Sequence, residues 1–122
     1  MVYLYIAGTV FFTVYGQIII KYRIPFHGAL PVDPHTKVLF LLKLLLDPWI
    51  LSGLISAFVA ALFWLAVLST KIELSKAYPF TALSLVLVVI FSIIFFKESV
   101  SIPLMFGILL IIAGIVLVGR SL

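Results

Sequence analysis

The chain has 122 residues, 66% of them hydrophobic and 10% charged. That is more apolar surface than a soluble domain of this size can bury, so its solvent is lipid. A net charge of +4 fits basic residues at membrane ends facing anionic headgroups and, without a basic soluble surface, does not point to nucleic acid. The lack of cysteine excludes disulfides, thiolate metal sites and cysteine chemistry.

The first predicted span runs from about Val2 to Ile20, with Tyr3, Tyr5 and Tyr22 at belt positions and Arg23 marking the exit from the bilayer. The N-terminus has no basic n-region and no small-residue cleavage site, which predicts a retained span rather than a signal peptide. Within it, Thr13, Gln17 and Lys21 recur every four residues and therefore share one helix face. Unpaired polar groups in hydrocarbon are costly, so this face needs partners. Gly16 leaves room beside it for another backbone or a ligand. Lys21 lies about 28 Å along the helix from Val2 at roughly 1.5 Å per residue, near the far interface. It either snorkels there or meets an anionic ligand. Gln17, one turn deeper, finds its partner either on a neighbouring helix or on that ligand.

Residues 24–47 form the one long connection. Pro25, Gly28, Pro31 and Pro34 predict no regular structure in its first half. Thr36 to Leu46 is apolar but too short to span, and Thr36, Lys43 and Asp47 fall on one narrow face. This predicts either a plain structured loop or a short helix lying in the interface. His27 and His35 have no partner ligands nearby and are expected as surface histidines, not a metal site.

Asp47-Pro48 is a helix-start signal, with Asp as N-cap and Pro at the first helical position. The second span follows to about Leu68. Gly53, Ala57 and Ala61 predict a small-residue packing seam along it. Trp64 is an interfacial anchor or a ligand-stacking wall. After a polar turn with Lys71, Glu73 and Lys76, a third span covers about 75–96, with Pro79 near enough to its start to leave it unkinked. Tyr78, Thr81 and Ser84 supply its hydroxyls before Ser92. The fourth span, about 102–118, has Gly107 and Gly114 two turns apart, predicting a helix–helix contact face. Lys21, Arg23, Lys37, Lys43 and Lys97 lie on one side of the membrane, and Lys71, Lys76 and Arg120 on the other. This weak bias predicts a cytoplasmic first loop.

The pattern predicts an all-α membrane protein, a single four-helix transmembrane domain over residues 1–122. No catalytic constellation is present, so no enzyme, cofactor or metal is expected. Asp33, Asp47, Glu73 and Glu98 all fall in turns and are expected as solvated charges.

Three stretches carry a family resemblance. They are Gly16-Gln17 with Lys21, Phe63-Trp64-Leu65 leading to Ala77-Tyr78-Pro79, and Gly107 with Gly114. In this order on four spans the chain resembles the four-helix members of the drug/metabolite transporter superfamily. Within it, the small multidrug resistance branch carries a Glu three residues before the helix-one glycine. Here that position is Thr13, which cannot exchange a proton. The Gly-Gln-then-Lys and Ala-Tyr-Pro motifs look like those of the small EamA-type subunits that flip undecaprenyl-phosphate-linked sugars, best known for aminoarabinose in lipid A (lipopolysaccharide) modification. The first loop is longer than those subunits usually have.

The resemblance implies a flippase subunit of the bacterial inner membrane, working as a homodimer or as a heterodimer with a similar four-helix subunit. Gly107 and Gly114 would lie at the dimer contact. Thr13, Gly16, Gln17, Lys21, Trp64, Tyr78 and Ser84 would contact a lipid-linked sugar. The alternatives are a small multidrug resistance-like exporter of cationic compounds and a non-transporting accessory subunit of a membrane glycosyltransferase.

Overall fold

The computed structural model describes residues 2–121. Its helices are α1 (Val2–Arg23), α2 (Pro34–Leu45), α3 (Pro48–Leu68), α4 (Leu74–Ala77), α5 (Ala82–Phe96) and α6 (Ile102–Arg120), with 3₁₀ turns at Ile24–His27 and Tyr78–Thr81. Four helical runs are long and apolar enough to cross a membrane: Val2–His27, Pro48–Leu68, Leu74–Phe96 and Ile102–Arg120. The fold is an all-α, four-span membrane bundle. Because successive spans alternate in direction, the end of α1, the start of α3 and the end of α5 share one membrane face. The start of α1, the end of α3 and α4 share the other.

The helix starts follow from local chemistry. Asp33, Asp47 and Ser101 cap α2, α3 and α6 by accepting from the N–H groups of Thr36, Trp49 and Leu104. A proline sits in the first turn of each, where its missing N–H leaves no bond unmade. Lys97 closes α5 in the left-handed region, at φ 53° and ψ 39°.

α1 is the centre of the bundle, packed along α3 and more lightly on α5, whereas α6 leans chiefly on α5 and the Tyr78–Thr81 turn. α1 and α3 bring their backbones together at two glycines. A Cβ on Gly16 would stand 2.8 Å from the Gly53 carbonyl oxygen, and one on Gly53 would stand 3.1 Å from the Gly16 oxygen. Lipid is as apolar as the core, so close packing and interhelical hydrogen bonds hold such helices together. Ser56 supplies one such bond, its hydroxyl donating to the Phe12 carbonyl at 2.7 Å.

Several expectations change. The predicted seam holds at Gly53, but Ala57 and Ala61 are exposed, and the buried register runs Gly53, Ser56, Ala60. These residues are spaced by three and four, which keeps them on the face turned to α1. Pro79 does not sit silently in one continuous helix. The third span passes through the Tyr78–Thr81 3₁₀ turn, since a proline there cannot donate to the preceding turn. α1 runs to Arg23 and continues as a 3₁₀ turn containing Pro25, where no regular structure is expected from sequence. The short loop helix forms at Pro34–Leu45, with Asp47 outside it as the cap of α3.

Candidate functional site

The i+4 stripe on α1 extends one turn further back than the sequence reading, to Thr9. Thr9 and Thr13 face Trp64 of α3 and Tyr78, Thr81 and Ser84 at the start of the third span across a cavity of about 340 Å³, with Val10 completing the wall. Four of the residues expected at the site therefore come together here: Thr13, Trp64, Tyr78 and Ser84. Thr9 and Thr81 join them unpredicted. The i−4 spacing from Thr13 was the signal for Thr9, and Thr81 stood out only as one of few hydroxyls in its span. The Trp64 and Tyr78 rings meet edge-on, with centroids 5.9 Å apart and planes at 76°.

Three of the five hydroxyls lining this chamber, those of Thr9, Thr81 and Ser84, share a polarity. Thr9 donates to the Tyr5 carbonyl at 3.0 Å, Thr81 to the Tyr78 carbonyl at 2.6 Å, and Ser84 to the Thr81 carbonyl at 2.6 Å. Each spends its single proton on its own backbone and keeps its lone pairs. Among the described residues, no Asp, Glu, Lys, Arg or His lines the chamber.

On the neighbouring side of α1 lies an apolar groove of about 460 Å³ against α5, lined by Phe11, Val14, Tyr15, Ile18, Leu87, Phe91 and Phe95. It opens to the side of the bundle.

Gly16, Gln17 and Lys21 are not part of the chamber. Gly16 is buried against the Gly53 backbone, so its missing side chain serves helix packing. Gln17 and Lys21 are exposed. Lys21 is about 12 Å beyond Thr13 at 1.5 Å per residue, at the first-loop face, whereas Trp64 and Tyr78 lie towards the other face. Among the described residues, Lys21 forms no ion pair, while Arg23 does. Gly107 and Gly114 have open space where a Cβ would project.

The expectation of solvated turn charges fails at Asp47. Its side chain is 1% exposed and joins three elements. Oδ2 accepts from Arg23 Nε at 3.1 Å, Arg23 Nη2 at 3.0 Å and His27 Nε2 at 2.6 Å, while Oδ1 accepts from the Trp49 N–H at 2.8 Å. His27 stays at the surface, as expected, and is bonded there to Asp47. The hydrogen bond from His27, opposed by burial and reinforced by Trp49 and Arg23, lowers the Asp47 carboxyl to about 2. The reason is the return of the loop, which brings the end of α1 against the start of α3. No short-range spacing announces this contact, because its partners are 24 and 20 residues away in sequence.

Residues 2–120 match the family described as "EamA-like transporter family". The chain is 40% identical over 75 residues to the probable 4-amino-4-deoxy-L-arabinose-phosphoundecaprenol flippase subunit ArnE of Pseudomonas aeruginosa (strain UCBPP-PA14), covering 62% of this chain and 64% of that protein. It is 36% identical to the protein of the same description from Pseudomonas fluorescens (strain Pf0-1), covering 62% and 65%. Against that of Aeromonas salmonicida (strain A449) the identity is 36% over 78 residues, covering 64% and 68%. The chain thus spans a little under two thirds of the length of the two Pseudomonas relatives. No solved structure matches it.

Proposed function

Because the chain belongs to the EamA-like transporter family, we propose that it is one subunit of a flippase moving a polyprenyl-phosphate-linked amino sugar across the bacterial inner membrane. The relatives' description supplies the substrate class. The observation in the molecule that carries the reading is a hydroxyl-lined chamber beside a wholly apolar, side-opening groove. A lipid-linked sugar phosphate asks for that pairing: polar contacts for the head group, and an apolar side passage for a chain that stays in the bilayer.

In this reading Thr13, Trp64, Tyr78 and Ser84 face the sugar, and the α1/α5 groove takes the first isoprene units. Lys21, exposed at the first-loop face and without an acidic partner, meets the phosphate through a charge-assisted contact, with Gln17 one turn deeper serving phosphate or sugar hydroxyl. Gly16 contributes by letting α1 lie close to α3. Snorkelling accounts for Lys21 but not for Gln17, exposed one turn deeper on the same stripe. The loop helix α2 lies in the membrane interface, and the open faces at Gly107 and Gly114 receive a second four-helix subunit, identical or similar.

A polyprenyl-phosphate amino sugar carrying a diazirine on its first isoprene tests this reading in membranes. Labelling should map to the groove residues Ile18, Leu87 and Phe91 and be competed by unlabelled lipid. Uncompeted labelling spread evenly over the exposed helix α6 would refute it.

A further inference from the structure

We infer that the chamber between α1, α3 and the start of the third span is a subsite for a primary ammonium group. It is read by the oxygens of Thr9, Thr81 and Ser84 and by the Trp64 and Tyr78 rings. The inference deepens the flippase reading by naming which part of the head group the chamber takes, and it rests on that reading only for the identity of the lipid.

The argument starts from hydrogen-bond direction. A hydroxyl has one proton and two lone pairs. Thr9, Thr81 and Ser84 have each committed that proton to a backbone carbonyl one turn earlier, at 3.0, 2.6 and 2.6 Å. Towards the cavity they present lone pairs alone. A phosphate, which only accepts, gains nothing from these three oxygens and is left to the Trp64 N–H and the Thr13 and Tyr78 hydroxyls in the lining. A group that only donates suits them, and among head-group fragments an ammonium, with three N–H donors and no acceptor, is the extreme case.

The aromatic pair reinforces the choice. Trp64 and Tyr78 stand edge-to-face at 5.9 Å on the chamber wall, and the faces of such rings attract a cation, Trp most strongly. With no acidic side chain in the lining, a bound cation is held by dipoles and ring faces, not by an ion pair that would hold it too firmly to release. Lys21 lies towards the opposite membrane face, about 18 Å along α1 from Thr9 at 1.5 Å per residue, and takes no part in this subsite.

Trp64 doubles as the reporter. The chain's other tryptophan, Trp49, begins α3 at the opposite end, so Trp49→Phe leaves Trp64 as the sole indole. In lipid nanodiscs, its fluorescence is titrated with a short-chain polyprenyl-phosphate amino sugar, its N-acetyl derivative, the sugar-free polyprenyl phosphate, and cyclohexylammonium as a lipid-free cation. The amino form should bind at least about tenfold more tightly than the N-acetyl form. Thr81→Val and Ser84→Ala should each shrink that ratio several-fold without changing affinity for sugar-free polyprenyl phosphate. Lys21→Gln should weaken all three lipids by similar factors and leave the ratio intact.

Equal affinity for amino and N-acetyl forms overturns the subsite while leaving the flippase reading in place. So does an unchanged ratio in both hydroxyl variants. Saturable quenching by cyclohexylammonium, sensitive to Ser84→Ala, with no binding of any lipid, supports the subsite and removes the flippase reading.

Discussion

The crossing of α1 and α3 at Gly16 and Gly53 gives the sharpest stability prediction. In Gly16→Ala the new Cβ meets the Gly53 carbonyl oxygen at 2.8 Å and stands 3.8 Å from the Ala57 nitrogen. Ordinary contacts of this kind begin near 3.4 Å, and the obstacle is helical backbone, which cannot swing aside as a side-chain tip would. The helices must separate by several tenths of an ångström, loosening packing along their length and stretching the Ser56 to Phe12 bond one turn away. Overpacking of this kind costs about 1–3 kcal/mol, against a gain of roughly 0.8–1 kcal/mol from replacing glycine by alanine inside a helix. Repulsion wins, leaving a net loss on the order of 1 kcal/mol. Gly107→Ala is the internal control in the micelle-solubilised monomer, because nothing in the chain lies within 4 Å of its Cβ and only the propensity gain remains there. Reversible unfolding in mixed detergent micelles, followed by helical circular dichroism, should put Gly16→Ala below and Gly107→Ala at or above the wild type. A Gly16→Ala protein as stable as Gly107→Ala would refute the close crossing.

Asp47 has a pH signature. Its carboxyl is lowered from 3.8 to about 2 in the folded chain, so its stabilisation is fully present above the unfolded value and is lost as pH falls through the folded one. Asp47→Asn should lower the thermal midpoint at neutral pH, and the gap to wild type should narrow below pH 3.8 and close near 2, as read by thermal melts across that range. Lys97 adopts a left-handed conformation that costs a non-glycine residue roughly 1–2 kcal/mol, so Lys97→Gly should raise the unfolding free energy in the same micelle assay by about 1 kcal/mol. Gly107→Leu and Gly114→Leu should leave the monomer folded and weaken association, measured by cross-linking in lipid. Unchanged association in both would move the subunit contact elsewhere.

The four spans were legible because apolar runs of spanning length are set by bilayer thickness, which composition alone reports. The caps were legible too: Asp47-Pro48 announces a helix start, and the structure uses it as one. What sequence missed depends on which residues meet across the chain. Asp47 read as a solvated turn acid because its partners Arg23 and His27 are distant in sequence. The seam drifted from Ala57 and Ala61 to Ser56 and Ala60 because a four-residue repeat advances about 40° per step on a 3.6-residue helix. At the site, the α1 stripe was visible from its spacing, but its division was not. Thr9 and Thr13 face the chamber while Lys21 lies beyond it, because Trp64 and Tyr78 belong to the ends of their spans nearer the opposite membrane face. The direction of the Thr81 and Ser84 hydrogen bonds, which favours a donor ligand, exists only once the Tyr78–Thr81 turn is folded.

The flippase assignment is tested most directly in vesicles holding a labelled polyprenyl-phosphate amino sugar in the inner leaflet, probed from outside by a membrane-impermeant amine reagent. Vesicles containing the chain with a second four-helix subunit, identical or similar, should expose the amine well above the rate of protein-free vesicles. A folded, equally inserted Lys21→Gln chain should fall back to the protein-free rate. An amine that stays inaccessible with either subunit pairing, or normal exposure by Lys21→Gln, would contradict the account.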